Sequence, residues 1–140
     1  MKILALDLGD RWIGTAMSDA LQMLATPYKT IAAGELDAFL QATIAQYRIS
    51  TVVLGLPQTL RGTDSDQTKK VQALKEELEQ KFTTVSWVFW DERLTSKQAS
   101  QMKRPANKAD KLESHSIAAA LILRGYLDRL YFLKHAQIEQ

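Results

Sequence analysis

The chain begins with a short run of apolar residues that contains a single charge. Apolar side chains fill residues 3–8 except at Asp7, and Gly9 follows directly. A run of this length is typical of a strand that is buried on both faces. A carboxylate inside such a strand is costly unless it is hydrogen-bonded or binds a cation. Asp7 therefore needs a partner, which is either the turn at Gly9 or a metal ion.

The next residues predict two further strands that extend the first one. A polar turn at residues 10–12 separates the first run from a second one at Ile13–Asp19, and this arrangement predicts a β-hairpin. Pro27 is expected to break the following segment, so a third strand is predicted at Tyr28–Ile31. The three strands would form an antiparallel meander.

From residue 35 onwards, helical and strand patterns alternate. Apolar residues recur every three or four positions in the helical segments, whereas the strand segments are continuous apolar or β-branched runs. Serine, threonine or aspartate at the helix starts fits N-caps and capping boxes. The elements predicted in this way are a helix at Glu35–Tyr47, a strand at Thr51–Leu56, a helix capped by Ser65, a strand at Thr84–Trp90, a short helix starting at Thr95, and a long helix from Asp110 to about Leu133.

The resulting order, βββαβαβαα, predicts an α/β fold in one domain of residues 1–140, with a five-stranded mixed sheet and helices on both faces. Binding sites in open sheets of this kind lie beyond the carboxyl ends of the parallel strands. The first strand ends at Asp7 and the last one ends at Glu92. We therefore expect these two carboxylates at the same edge of the sheet, on adjacent strands.

Composition narrows the class of protein. The chain has no cysteine, which excludes disulfides and thiolate zinc sites, and its formal net charge is +2. No apolar run approaches the roughly 20 residues that cross a bilayer, and the N-terminus enters the first strand without the basic segment of a signal peptide. The expectation is a cytoplasmic protein that does not contact membranes.

Two carboxylates at one edge of a sheet repel each other unless a cation lies between them. Oxygen ligands without cysteine favour Mg²⁺ or Mn²⁺. Basic residues outnumber acidic ones between Asp91 and Leu112, and this local excess suits a polyanionic partner. Together these features suit metal-dependent hydrolysis of phosphodiesters. The alternative is a polar strand end at which Glu92 is paired with Arg93 or caps the following helix.

Five groups of residues occur in the order and spacing of a known family. Together they cover nearly the whole chain, which therefore resembles the YqgF/RuvX family of pre-16S rRNA nucleases and Holliday-junction-resolvase-like proteins. The groups are Asp7-x-Gly9 with Ile13-Gly14-x-Ala16-x-Ser18-Asp19, Ala25-Thr26-Pro27, Gly55-Leu56-Pro57 with Gly62, Asp91-Glu92-Arg93-Leu94-Thr95, and Ala118-Ala119 through Ile122-Leu123 to Tyr126-Leu127.

The resemblance implies a ribonuclease H-like fold and a bacterial or organellar cytoplasmic enzyme that matures the 5′ end of small-subunit ribosomal RNA. It implies that Asp7 and Glu92 bind Mg²⁺ or Mn²⁺, and that the partner is nucleic acid, either precursor rRNA or structured DNA. It also implies a set of basic residues that border the nucleic acid, namely Arg11, Arg61, Arg93, Lys97 and Lys108.

The chain departs from the family pattern at two positions. Trp12 stands where the family usually has an arginine, and Arg11 lies one position earlier. His115 stands where the family has its third acidic residue. His115 has three interpretations. It is a nitrogen ligand that shifts the metal preference toward Mn²⁺, a general acid or base near neutral pH, or an ordinary helix residue in a damaged site.

Four functions fit these observations. The first is a metal-dependent nuclease with Asp7, Glu92 and His115 as its catalytic residues. The second is a non-catalytic nucleic-acid-binding factor in ribosome assembly. The third is one half of an actin-like ATPase, although 140 residues supply a single domain and that fold needs two. The fourth is a Holliday junction resolvase, which requires a homodimer, whereas a nuclease could be a monomer or a homodimer.

The apolar residues 130–133 are either a dimer surface or the end of the core.

Overall fold

In a computed structural model of the protein, five strands form a mixed sheet. They are β1 (Lys2–Asp7), β2 (Trp12–Ser18), β3 (Ala25–Ala32), β4 (Ile49–Leu56) and β5 (Ser86–Asp91). Their order across the sheet is β3-β2-β1-β4-β5. The structure describes residues 1–56, 65–91 and 108–138, and it describes side chains within 1–55, 69–90 and 113–135.

The described residues include three α-helices. They are α1 (Leu36–Tyr47), which follows a 3₁₀ turn at Ala33–Glu35, α2 (Ser65–Lys81) and α3 (Lys108–Ile138). The capping box predicted at Asp110 is wrong, because α3 begins at Lys108 and Asp110 lies inside its first turn. The short helix predicted at Thr95 lies outside the described residues. Within the described ranges, no helix combines the length and the apolar character needed to span a bilayer.

The pairing of the strands is mixed, as predicted. β1 pairs antiparallel with β2 and parallel with β4, while β2–β3 is antiparallel and β4–β5 is parallel. The expectation that the first and last strands are adjacent is wrong, because β4 lies between β1 and β5. β4 is added beside β1, and β5 is added beside β4, all three running in the same direction. The carboxyl ends of β1 and β5 therefore lie on the same side of the sheet, about 10 Å apart across two strand spacings.

Helices cover both faces of the sheet, as the element order predicts. On one face, α1 and α2 pack on β1, β2 and β4, and on the other face α3 packs on the same strands. Alternation along β1 supplies both cores. Leu4 and Leu6 belong to the core under α1 and α2, whereas Ile3 and Ala5 belong to the core under α3.

β3 differs from its predicted bounds, because it runs through Pro27 instead of starting after it. Proline is tolerated there since β3 is an edge strand of the sheet that the described residues form. Tyr28 and Lys29 of β3 lie opposite the single residue Thr15 of β2, which makes a β-bulge. The Thr15 hydroxyl stabilises the bulge, because it donates to the Lys29 carbonyl at 2.7 Å and accepts from the Lys29 N–H at 2.9 Å.

α3 makes direct backbone contact with β2 at Gly14. The carbonyl oxygen of His115 lies where a β-carbon on Gly14 would be, and the amide nitrogen of Ser116 is 2.9 Å from that position. Ala16 of β2 and Ala119 of α3 lie in the same core, and their small side chains let the helix and the strand approach each other closely. A side chain at position 14 would therefore push the start of α3 away from the sheet.

The loop between β2 and β3 is held by the Asp19 carboxylate. Its Oδ1 accepts hydrogen bonds from the amides of Met23 at 2.8 Å and Leu24 at 2.9 Å. Gln22 has a φ of 58°, in the left-handed region, and its N–H donates to the Asp19 carbonyl at 3.0 Å. The hydrogen bond from the Leu24 amide, followed by that from Met23, lowers the pKa of Asp19 below its ordinary value of 3.8.

We expect Gly14→Ala to destabilise the protein by about 1–3 kcal/mol, because the added methyl group would meet the backbone of α3. That backbone moves only if the whole start of the helix is displaced. Urea denaturation followed by circular dichroism measures the loss as a lower transition midpoint.

Gly34→Ala is the matched control for this variant. A β-carbon on Gly34 would have no atom within 4 Å, so its free energy of unfolding should stay within about 0.5 kcal/mol of the wild-type value. Equal midpoints for Gly14→Ala and Gly34→Ala would contradict the close packing of α3 on β2.

The stabilisation from Asp19 is expected to be present above about pH 4 and to be lost as the pH falls through the lowered folded-state pKa. The sign follows because the unfolded chain, with the higher pKa, binds the proton more tightly. The measurement is the difference in urea midpoint between the wild type and Asp19→Ala as a function of pH. A difference that stays constant down to about pH 2.5 would contradict the assigned hydrogen bonds.

Candidate active site

Asp7 is the last residue of β1 and lies on the face of the sheet that α3 covers. Alternation along β1 assigns this face, because Ile3 and Ala5 belong to the core under α3. The neighbours of Asp7 across the sheet are both glycine, Gly14 on β2 and Gly55 on β4. The half-buried Asp7 side chain therefore has no side chain beside it from either paired residue.

The Asp7 carboxylate has no protein partner among the residues that the structure describes. It takes part in none of the ion pairs or side-chain hydrogen bonds found in those ranges. The turn at Gly9, which the sequence offers as a partner, does not donate to it. A half-buried carboxylate in this state retains part of its desolvation cost, and a cation would offset that cost.

His115 lies in α3, at the point where the helix crosses the end of β1 that carries Asp7. Its carbonyl oxygen contacts Gly14, which pairs with Asp7, and the Cα atoms of such a pair are about 5 Å apart. The His115 side chain is half-buried. The hydroxyl of the buried Ser116 donates to the Glu113 carbonyl at 2.8 Å. The packing of α3 on Gly14 thus brings Asp7 close to the backbone of His115.

β5 ends at the same edge of the sheet. Trp90 pairs with Gly55, which in turn pairs with Asp7. Trp90 belongs to the core under α3, so alternate residues of β5 face that helix. Glu92 comes two residues after Trp90 in the sequence and lies outside the described residues.

Two of the predicted basic residues lie within the described ranges. Arg11 is exposed in the turn between β1 and β2, where its carbonyl accepts a hydrogen bond from the Ala33 N–H at 2.9 Å. Lys108 is the first residue of α3, about 10 Å along the helix axis from His115. The other predicted basic residues, Arg61, Arg93 and Lys97, lie outside the described residues.

The Asp7 carboxylate suits a hard divalent cation. Carboxylate oxygens are the ligands that Mg²⁺ and Mn²⁺ prefer, and no described group competes for the oxygens of Asp7. Within the described ranges, no group of three His, Cys, Asp or Glu residues could hold a metal ion. Glu92, which lies outside the described residues, is the further ligand that the sequence predicts.

Gly14 and Gly55 shape the surroundings of Asp7, yet the residue pattern assigned them no role of their own. A role for them could have been predicted, because a glycine inside a strand indicates the close approach of another backbone or a ligand. What the pattern lacked was the register, which places both glycines opposite Asp7.

A cavity of about 190 Å³ lies on the opposite face of the sheet. Its lining is mostly apolar and includes Leu8 and Leu74, with Asp10 and Lys70 as charged residues. Neither of the predicted catalytic residues in the described ranges lines it. The cavity is therefore separate from the candidate site.

The end of α3 carries exposed aromatic residues. Tyr131 is 62% exposed and Phe132 is 71% exposed, whereas Leu130 packs against the core. The interpretation of residues 131 and 132 as the end of the core is therefore wrong, and they form part of the protein surface.

Comparison with solved structures identifies the fold. RuvC of T. thermophilus in complex with a Holliday junction substrate matches with a TM-score of 0.55 and 16% identity, over 91% of this chain and 93% of its own. A fowlpox virus resolvase in complex with Holliday junction DNA matches with a TM-score of 0.51 and 14% identity, over 93% of this chain and 99% of its own. The ribonuclease H-like fold is thereby confirmed.

Curated relatives and a family profile identify the family. A protein of Rubrobacter xylanophilus named "Putative pre-16S rRNA nuclease" is 36% identical over 128 residues, which are 91% of this chain and 92% of that protein. A protein of the same name from Ruegeria pomeroyi is 40% identical over 131 residues, which are 89% of this chain and 84% of that protein. The RuvX profile, described as Holliday junction resolvase, matches residues 1–129. By this match and these relatives, the chain belongs to the RuvX family.

Proposed function

We propose that the protein is a divalent-metal-dependent nuclease with its active centre at the carboxyl ends of β1 and β5. In this proposal Asp7 and Glu92 hold Mg²⁺ or Mn²⁺, and His115 completes the site from α3. The observation that carries the proposal is the half-buried Asp7 carboxylate without a partner among the described residues. Glu92 enters from the sequence, as the carboxylate that follows the last residue of β5.

The chain's own residues supply the geometry. When bound, a divalent ion neutralises charge on the phosphate and activates water for attack on phosphorus. Asp7 is held rigidly for this purpose, because β1 is paired on both sides, with β2 and with β4. His115 offers a nitrogen ligand from α3. Arg11 and Lys108, from the turn after β1 and from the start of α3, offer positive charge to the flanking phosphates.

The proposed substrate is the precursor of 16S ribosomal RNA, and the proposed location is the cytoplasm. The names of the curated relatives support this choice of substrate. The positive charge of the predicted basic residues, Arg11, Arg61, Arg93, Lys97 and Lys108, suits a large polyanion.

A Holliday junction resolvase is the second candidate, because the description of the family names that activity. Resolving a four-way junction requires two symmetric cuts and therefore a dimer. The exposed Tyr131 and Phe132 at the end of α3 favour this candidate, since they leave an apolar surface that a second copy could cover.

Asp7→Asn is expected to slow cleavage of a precursor 16S rRNA fragment by at least about 10²-fold, because it removes the negative charge that holds the metal ion while keeping the side-chain shape. The measurements are the cleavage rate of a labelled fragment with Mg²⁺ or Mn²⁺ and the affinity for Mn²⁺ by calorimetry.

Asp10→Asn is the matched control, since it removes the same charge from an exposed position in the turn after β1. Its cleavage rate should stay within about twofold of the wild type. Wild-type cleavage by Asp7→Asn would exclude the assigned role. RNA binding without cleavage by the wild type would favour the non-catalytic assembly factor, and a preference for four-way DNA junctions would favour the resolvase.

His115→Asp is expected to keep cleavage and to shift the metal preference from Mn²⁺ toward Mg²⁺, because a carboxylate is a harder ligand than an imidazole. His115→Ala should slow cleavage by about tenfold or more, since it removes a ligand altogether. The measurement is the ratio of cleavage rates in the two metals.

The exposed His135 provides the control, and His135→Ala should cleave like the wild type. Loss of activity in both His115 variants, with unchanged affinity for Mn²⁺, would assign proton transfer to His115 in place of metal binding. A normal rate in His115→Ala would make it an ordinary helix residue.

A further inference from the structure

Two lysines and two tyrosines form a row on the face of the sheet that α1 covers. Lys29 Nζ is 5.0 Å from the centroid of the Tyr28 ring, and Lys2 Nζ is 5.2 Å from the centroid of the Tyr47 ring. The two rings lie between the lysines, with centroids 5.8 Å apart and planes at 77°. Their hydroxyls are 3.4 Å apart. We call these four residues the tyrosine–lysine row.

The bulge in β3 positions two residues of this row, Tyr28 and Lys29. In a regular strand, successive side chains point to opposite faces of the sheet. Tyr28 and Lys29 are consecutive, yet Lys29 reaches over the Tyr28 ring, because both residues lie opposite Thr15 in the bulge. Bulges re-aim side chains in this way, and they are common near functional sites.

A third cation lies at the same corner of the molecule. Arg48 follows Tyr47 directly and is exposed. Its carbonyl accepts a hydrogen bond from the Lys2 N–H at 3.2 Å, which ties the end of α1 to the start of β1. Three positively charged residues are thus gathered from β1, β3 and the end of α1.

These cations have no carboxylate partner among the described residues. Neither Lys2 nor Lys29 takes part in an ion pair in those ranges. Lys75 provides the contrast, because it also lies over a ring, 4.9 Å from the Phe89 centroid, but pairs with Glu79 at 3.0 Å. A ring does not neutralise an ammonium group as a carboxylate does. Among the described residues, no carboxylate therefore compensates the charge of Lys2 and Lys29.

We propose that the tyrosine–lysine row, with Arg48, binds the phosphodiester backbone of the nucleic-acid substrate at a distance from the site of cleavage. Ammonium, guanidinium and phenol groups are common hydrogen-bond donors to phosphate and sugar oxygens. The inference rests on the proposed function and adds a statement about the substrate, because a contact of this kind is useful only to a large one.

The distance from Asp7 sets the size of that substrate. Lys2 and Asp7 stand at opposite ends of β1, about 17 Å apart at about 3.3 Å per residue. They also belong to opposite faces of the sheet, since Lys2 contacts Tyr47 on the α1 side. A few nucleotides cannot reach both sites, whereas a folded precursor RNA can pass around the edge of the sheet. The row is therefore expected to bind parts of the substrate that flank the cut.

Binding without metal tests this inference separately from cleavage. The double variant Lys2→Gln with Lys29→Gln removes two charges from the row. The control Lys75→Gln with Lys134→Gln removes one charge from α2 and one from an exposed position of α3. Fluorescence anisotropy in EDTA, over a range of salt concentrations, measures binding of a precursor rRNA fragment with several stems and of an oligonucleotide of about 3 nucleotides, which spans about 10 Å when stacked. Single-stranded and folded DNA of the same sequences provide a second arm.

We expect the row variant to bind the long RNA about tenfold more weakly at about 0.1 M salt, and the slope of log affinity against log salt to fall in magnitude by about 1.4–1.8. The short oligonucleotide, which cannot occupy both sites at once, should lose less affinity than the long RNA, and the control should bind like the wild type. An equal loss of affinity for DNA supports contact with phosphate alone. A loss of affinity for RNA only supports contact with the sugars of the RNA backbone as well.

An unchanged slope in the row variant would overturn the inference, and so would an equal loss in the control variant, which would indicate a general effect of net charge. Circular dichroism of each variant establishes that the comparison is made on folded protein. Absence of cleavage by the wild type, with this binding pattern intact, would count against the proposed nuclease function and not against the row.

Discussion

The backbone contact between α3 and Gly14 is the constraint on which the candidate site depends. Because residue 14 has no side chain, the carbonyl of His115 rests directly on β2, one strand away from Asp7. Functional groups that act together must be held to within about 0.5 Å. A single methyl group at residue 14 would displace the helix by more than that. The arrangement of Asp7 and His115 is therefore decided by a glycine that takes no part in chemistry.

Local patterns predict most of the fold, because each strand and helix carries its own periodicity. The apolar run at β4, the helical spacing in α1 and the mixed pairing are all confirmed. Strand order is less accessible, because the choice of the strand with which β5 pairs depends on long-range packing, which no local pattern encodes. For this reason the sequence placed Asp7 and the end of β5 on adjacent strands, whereas β4 separates them.

The candidate site was predictable to a similar degree. Asp7 stood out as a charge inside an apolar run, but its lack of a partner depends on the register that sets Gly14 and Gly55 opposite it. The tyrosine–lysine row was not predictable, because the bulge opposite Thr15 alters the alternation of β3. Pro27 signalled a break in that segment, and an edge strand accommodated it within a continuous β3 instead.

These features explain how the protein can hold Asp7 rigidly without hydrogen-bonding it. A carboxylate fixed by several N–H donors would be stabilised in the folded protein, but the same oxygens would then be less available to a cation. Here the rigidity comes from the backbone, through pairing of β1 on both sides and through the contact of α3 with Gly14. The oxygens of Asp7 are left without competing donors from the described residues. Part of the desolvation cost of Asp7 remains in the protein alone, and binding of a metal ion would offset it.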